Sequence, residues 1–178
     1  MILLIHAHPY PSHSRGCRAL LGAVREVPGL EVRSLYDLYP TFDIDVPAEQ
    51  AALARAALIV WLHPTYWYSV PGLMKHWFDV VLTRGWAYGK GGDALAGKPC
   101  LWATTTGGQP ATYAPDGLHR LPFDDYHAPV EMTARFCGMQ WLAPFVLHGA
   151  HSVSETELAA AAQAFRARIA AHAKDSDA

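Results

Sequence analysis

Three segments of the chain carry residues whose types and order could do chemistry. The first, His8-Pro9-Tyr10-Pro11-Ser12-His13-Ser14, follows a short apolar run. If a helix begins there, a phosphate fits the amides at Ser14 to Cys17 (Ser14, Arg15, Gly16, Cys17), because a helix start is positive and its first N–H groups lack partners. His8 and Ser14 add side-chain donors. The plainer reading makes Ser14 an N-cap beside solvent-exposed histidines. The second segment, Thr65-Tyr66-Trp67-Tyr68, sits between a strand and a helix, where three consecutive aromatics cannot all enter one core. Flat ligands need such walls. The third, Thr105-Thr106-Gly107-Gly108, lets the backbone approach a ligand closely, with amides free to donate to an anionic ring edge. Alone it is equally an ordinary loop. Together the three would hold one phosphate and one planar heteroaromatic ring, which is what flavin mononucleotide (FMN) demands.

Other chemistries fit less well. Gly97-Lys98 runs into Pro99, so no glycine-rich turn carries a lysine to a nucleotide's terminal phosphates, and no glycine follows the first apolar run as a dinucleotide fingerprint requires. His6, His8 and His13 can be read as metal ligands. The Ala7-His8-Pro9 start resembles that of zinc-dependent deacetylases, but Tyr10 and Pro11 stand where two carboxylates are needed. His148 and His151 flank Gly149 with a spacing that can bind metal, although exposed loop histidines are the commoner case. Asp124 and Asp125 read as solvated loop charges. Cys17 reads as a buried structural thiol, and Trp77 and Phe78, spaced helically with Leu73 and Met74, as core.

The elements that must position these segments follow from periodicity. Met1 to Ile5 and Ala57 to Leu62 are continuous apolar runs, as in strands buried on both faces of a parallel sheet. Leu30, Val32 and Ser34 alternate with charges as a more exposed second strand. Pro99 to Thr104 and Trp141 to Leu147 supply the fourth and fifth. Helical spacing falls on Cys17, Leu20, Leu21, Val24 and Val27, with Ser14 as cap and Pro28-Gly29 as stop. Tyr36 to Val46 reads as irregular, and Pro47 opens an Ala-rich helix. Pro71 opens a helix closed by Arg84-Gly85. Gly107 to His127 reads as a long loop before a helix over Val130 to Cys137. Ser154-Glu155-Thr156-Glu157 is a capping box ahead of a helix burying Leu158, Ala162, Phe165 and Ile169. The expectation is one domain over 1–173 with a polar tail over 174–178, its five-stranded parallel sheet covered by helices on both faces. Ligands of such sheets bind at the carboxyl ends of the strands, where the three segments fall.

Composition agrees with a globular enzyme-sized domain. The chain has 178 residues, 51% hydrophobic and 17% charged, and such a length buries roughly 70% of its unfolded surface. Fourteen Lys plus Arg against 16 Asp plus Glu give a net charge of −2, which offers nucleic acid no electrostatic footprint. The start lacks a basic n-region, no window has the length of a membrane span, and three scattered cysteines suit a reducing compartment. A cytoplasmic location is expected.

His8 to Ser14, then HPTYWYSVPGLMKHWFDVV, GWAYGKGG and TTGGQPATYAPDGLH, in this order and spacing, resemble the flavodoxin-fold NAD(P)H:quinone oxidoreductases, DT-diaphorase and its bacterial relatives. RSLYDLYP and LIVWLHPTYWYS bring the chain closest to the KefF branch, ancillary proteins of glutathione-gated potassium efflux. The resemblance implies sheet order 2-1-3-4-5, FMN rather than FAD, NAD(P)H as co-substrate, a quinone as acceptor, and docking to a Kef-type potassium antiporter at the cytoplasmic face of the inner membrane. It implies phosphate and ribityl contacts from His8 and residues 14–17, and ring contacts from residues 65–68 and 105–108. Tyr113 and His119, six positions apart after the double glycine, match the family's flavin-edge pair; the retained Tyr113 leans toward DT-diaphorase. The resemblance further implies a homodimer with flavin sites at its interface, to which exposed aromatics at Trp86, Tyr88 and Tyr126 also point, and with Tyr88 shaping the partner's quinone pocket. A flavodoxin-like regulatory module without turnover is the remaining alternative, and it leaves Tyr113 and His119 without a purpose.

Overall fold

The computed structural model describes residues 1–175; the last three residues of the expected polar tail lie outside the described residues. Ile2–His6 (β1), Leu30–Ser34 (β2), Leu58–Pro64 (β3), Pro99–Thr105 (β4), Gln140–Trp141 (β5) and Phe145–Leu147 (β6) form one parallel sheet in the order β2-β1-β3-β4-β5, with β6 also on β4. Every residue of β1 and β3 is buried, as their unbroken apolar runs require.

The single fifth strand expected over Trp141 to Leu147 is divided. Leu142 still donates to Cys100 at 3.0 Å, but Pro144 has no N–H to give, and pairing resumes only at Phe145. Arg168 takes the carbonyls of both Ala143 and Pro144.

Helices cover both faces. Gly16–Val24 (α1) and Glu155–Asp175 (α6) bury Leu20, Val24, Phe165 and Ile169 against Ile2, Leu4, Val60 and Leu101. On the other face lie Leu35–Leu38 (α2), Val46–Arg55 (α3), Gly72–Val81 (α4) and Asp124–Phe136 (α5), which pack Leu53, Leu73, Trp77 and Ala134 around Trp61 and Trp102. Trp77 and Phe78 are core, as their spacing indicates. The short α2 begins one residue before the segment expected to be irregular and runs into it. Asp45 caps α3 by accepting from the Ala48 amide, and Ser154 and Glu157 close the capping box in both directions.

This second face also encloses a charge. Glu49 is fully buried in α3, and its carboxylate accepts from Arg33 at 2.7 Å, Tyr39 at 2.6 Å and Trp77 at 2.9 Å. Donors from β2, from the residue after α2 and from α4 thus converge on one carboxylate, and removing any of them would leave a buried charge short of partners.

Two expectations fail at helix starts. Ser14 is not the cap of α1: it ends a 3-10 turn over Pro11–His13, and Arg15 occupies the cap position without a side-chain bond. The α5 helix begins two turns earlier than expected, so Tyr126 and His127 are helical and Asp124 and Asp125 sit in its first turn, where the helix dipole favours carboxylates. The chain carries Pro129 inside this helix at the loss of one hydrogen bond, to the Asp125 carbonyl.

Candidate functional site

Because β2 lies on one side of β1 and β3 on the other, their exits diverge and leave a crevice at the carboxyl edge of the sheet. Backbone bonds fix the loops around it. Thr65 donates to Thr105 at 2.8 Å, Thr106 to Leu147 at 3.0 Å, Ala150 to Thr106 at 2.8 Å and Gly149 to Gly108 at 2.9 Å. The loop after β6 is thereby joined to the loop after β4, a pairing that no local residue pattern encodes.

The crevice contains a pocket of about 160 Å³. Of the residues expected to hold a cofactor, His8, Ser14, Arg15, Gly16, Thr65, Tyr66, Thr105, Thr106 and Gly107 line it. Cys17 does not: it is fully buried behind the lining, 3.4 Å from the Thr105 hydroxyl, and burial pushes its thiol up to about 11. It is a packing residue at neutral pH. Tyr10, His13 and His151 line the pocket without having been singled out for it.

The donors of this pocket are set by covalent and hydrogen-bond logic. The Tyr10 amide donates to His8 Nδ1 at 3.0 Å, so the neutral ring carries its proton on Nε2. Burial, then the neighbouring His151, holds His8 below the usual imidazole range. Among the described residues, the first-turn amides of Gly16 and Arg18 meet no acceptor, nor do those of Gly107 and Gly108. An anion therefore finds N–H groups from two loops and a neutral histidine donor. Gly16 is needed for the fit, because a Cβ there would stand 2.9 Å from Ala150 Cβ and 3.0 Å from Thr105 Cγ2.

Beside the pocket, Tyr66 and Ser69 pair through two backbone bonds of 3.0 Å around Trp67 and Tyr68. Both central residues are left-handed, at φ 49° and 62°, the geometry of a type I′ turn normally given to Gly or Asn. The turn holds Trp67 out at 93% exposure. Neither Trp67, Tyr68 nor Gly108 lines the small pocket; they extend the site beyond it. Backbone strain of this kind concentrates at functional sites.

Tyr113 and His119 are brought together, their rings stacked at 4.5 Å and 20°. Tyr68 reaches His119 Nδ1 at 3.4 Å and stacks on Tyr126 at 5.1 Å, while the Tyr126 hydroxyl donates to the His119 carbonyl. A Cβ on Gly108 would stand 3.1 Å from the Tyr113 hydroxyl, so that hydroxyl lies directly beside the double glycine. His148, read as an exposed loop histidine, is instead half-buried, 3.0 Å from the Thr106 hydroxyl and 5.4 Å from the Tyr113 ring. Tyr126, expected in a loop beside the site, is instead carried there by the first turn of α5.

Below these groups lies a buried floor. His63 is fully buried; Nδ1 lies 3.0 Å from the Pro64 carbonyl and Nε2 accepts from Trp102 at 2.6 Å. Burial pushes it down to about 4, and does the same to His6. The metal reading lacks a centre: His6 turns to Ser34, His8 to the Tyr10 amide, and His13 stacks on Tyr10 at the surface. Among the described residues no group of three His, Cys, Asp or Glu is placed to hold a metal ion.

Tyr88 lies elsewhere, on a groove of about 360 Å³ between α4 and α5 that is also lined by Ser69, Val70, Phe78 and Phe136. Its ring is 4.9 Å from Phe136, which is exposed together with Met132. Gly92 is obligatory in this segment, since a Cβ would meet the Tyr88 carbonyl at 2.2 Å. Among the described residues no helix is long and apolar enough to cross a membrane.

A family model described as flavodoxin-like fold matches residues 1–172. The glutathione-regulated potassium-efflux system ancillary protein KefF of Salmonella typhimurium is 51% identical over 171 residues, which cover 96% of each chain. Among solved structures, general stress protein 14 of Treponema denticola in complex with FMN has a TM-score of 0.90 and 36% identity, over 96% of this chain and 98% of its own. An NADPH-quinone reductase from P. pentosaceus has a TM-score of 0.85 and 25% identity, over 93% and 95%.

Proposed function

The chain belongs to the family of flavodoxin-like fold, and from that membership we propose that it is an FMN-dependent NAD(P)H:quinone oxidoreductase. The observation that carries this reading is the adjacency of an N–H-lined anion pocket to an aromatic turn and a stacked Tyr113–His119 pair, at the edge where this fold binds its ligands. The FMN-bound relative and the quinone reductase relative support it.

The donor set suits the cofactor. His8 Nε2–H and the free amides at the start of α1 would take the phosphate, Thr65, Tyr66, Thr105 and Thr106 the ribityl chain, and Trp67, Tyr68, Gly107 and Gly108 the ring. Bound FMN would supply the two-electron hydride chemistry that couples NAD(P)H oxidation to quinone reduction. The Gly107 and Gly108 amides would stabilise negative charge at the ring edge without reorganising, because the bond from Gly149 to Gly108 fixes their loop. The Tyr113 hydroxyl and the His119 imidazole hold or deliver the proton that accompanies that charge. Nicotinamide and quinone use the open aromatic face in turn, so turnover is ping-pong.

The assembly we propose is a homodimer formed through the α4–α5 groove, with Tyr88 reaching the neighbouring site. In the cytoplasm it docks to a Kef-type potassium antiporter, as the names of the 51%-identical relatives suggest. The deciding experiment reconstitutes the purified protein with FMN and with FAD and follows NAD(P)H oxidation with benzoquinones. FMN-dependent turnover is expected; failure to bind either flavin, with no oxidation, overturns the reading. Heterodimers of Tyr88→Ala and His119→Gln subunits should keep about half of wild-type activity, because shared sites place both lesions in one site and none in the other.

A further inference from the structure

Resting on the FMN reading, we propose that His151 is the acid-responsive ligand of the phosphate pocket, binding the cofactor's phosphate as an imidazolium so that binding takes up a proton at this ring. His151 is held at the pocket by the loop after β6. It lines the anion pocket from a turn anchored by three backbone bonds, Gly149 to Gly108, Ala150 to Thr106 and Ser152 to Gly149. Its ring lies over Gly107, where a Cβ would approach Cδ2 to 3.7 Å.

The other charged and titratable groups around the pocket leave this role to His151. His8, facing it from the end of β1, is 7% exposed and keeps Nδ1 occupied by the Tyr10 amide. Protonating His8 would break that bond, so it serves as a neutral donor. Arg15 at the start of α1 has Nη1 on the Ala150 carbonyl at 3.3 Å and Nη2 on Glu155 of α6 at 2.9 Å, which turns its charge toward α6. The 3-10 turn contributes Tyr10 and His13, and the loop after β3 contributes Tyr66. The loop after β4 presents no charged side chain: Thr105, Thr106 and Gly107. A phosphate monoester carries up to two negative charges near neutral pH, and an adjacent anion favours the charged form of an imidazole. His151 is exposed, so solvent can deliver the proton that an arriving phosphate draws onto its ring.

The test uses apo-protein and isothermal titration with FMN in two buffers of different ionisation enthalpy, together with His151→Gln and His151→Lys. Wild type is expected to take up more protons on binding FMN than His151→Gln, any protonation of FMN itself being common to both. His151→Gln should bind FMN about tenfold more weakly at pH 6, with the gap narrowing by pH 8. His151→Lys should restore affinity without the extra proton uptake. Riboflavin, which lacks the phosphate, should bind all three proteins alike. Inorganic phosphate should raise the melting temperature of wild type more at pH 6 than at pH 8, and His151→Gln should lose that difference. Equal FMN affinity and proton uptake in wild type and His151→Gln would overturn the assignment while leaving the FMN reading intact. A wild type that binds neither FMN nor riboflavin would remove the FMN reading, and the phosphate series would still decide for or against His151 as an anion ligand.

Discussion

On the floor of the site, His63 is fully buried with both ring nitrogens engaged; on its rim, Trp67 is 93% exposed at the tip of a left-handed turn. The floor is made by strand ends, where burial is complete and polar atoms are mostly satisfied within the fold. The rim is made by loops that hold Tyr66, Trp67 and Tyr68 away from any core at a cost in backbone strain. What stabilises the protein and what would contact a substrate are therefore largely different residues, a few positions apart in sequence.

Acid should break this contrast most strongly, and from below. His6 and His63 are held at about 4 mainly by burial, against 6.5 in an unfolded chain. Between those values the unfolded state binds more protons than the native one, so stability is fully present above pH 6.5 and is lost as pH falls toward 4. Each histidine contributes about 3 kcal/mol of that loss. Urea midpoints should drop accordingly between pH 7 and pH 4.5.

Rim substitutions should in turn change rates and spare the fold. Tyr113→Phe and His119→Gln are expected to slow the reductive half-reaction by up to about 100-fold in stopped-flow traces, with FMN affinity nearly unchanged. Traces identical to wild type would remove the pair from the chemistry.

Between floor and rim lies Gly16. Gly16→Val forces a side chain onto Ala150 and Thr105, so it should lower unfolding stability by about 2 kcal/mol and weaken FMN binding together. The smallest effect is the most discriminating. Trp67→Gly relieves the turn and should raise stability by about 0.5 to 1 kcal/mol while weakening the cofactor, a reversal of sign that no floor residue should show.

Much of this was legible in the residues. The short runs ILLI and ALIVWL read as strands covered on both sides, which β1 and β3 are, and their exits marked the site. Tyr66 to Tyr68 were conspicuous because no core could take all three. What stayed hidden depended on tertiary context. Gly107 to His127 reads as loop, yet α5 starts at Asp124, because Pro129 costs the helix only one hydrogen bond. Ser14 reads as a cap, yet the preceding 3-10 turn uses it first. His151 and His148 belong to the site only because the loops after β4 and β6 are bonded together, and no local pattern encodes that pairing.

The division of the last strand at Pro144 bears on how the protein behaves beside other copies of itself. A sheet edge is a row of unpaired donors and acceptors on which a foreign strand can assemble, and long flat edges seed aggregation. Here one edge offers two residues, then a proline, then three, with two carbonyls already claimed by Arg168. The opposite edge, β2, carries Glu31 and Arg33, whose charges are tied to Arg55 and Glu49. Neither border provides the uninterrupted, uncharged run that a growing fibril would need, so crowding of this chain during synthesis meets a template too short to copy.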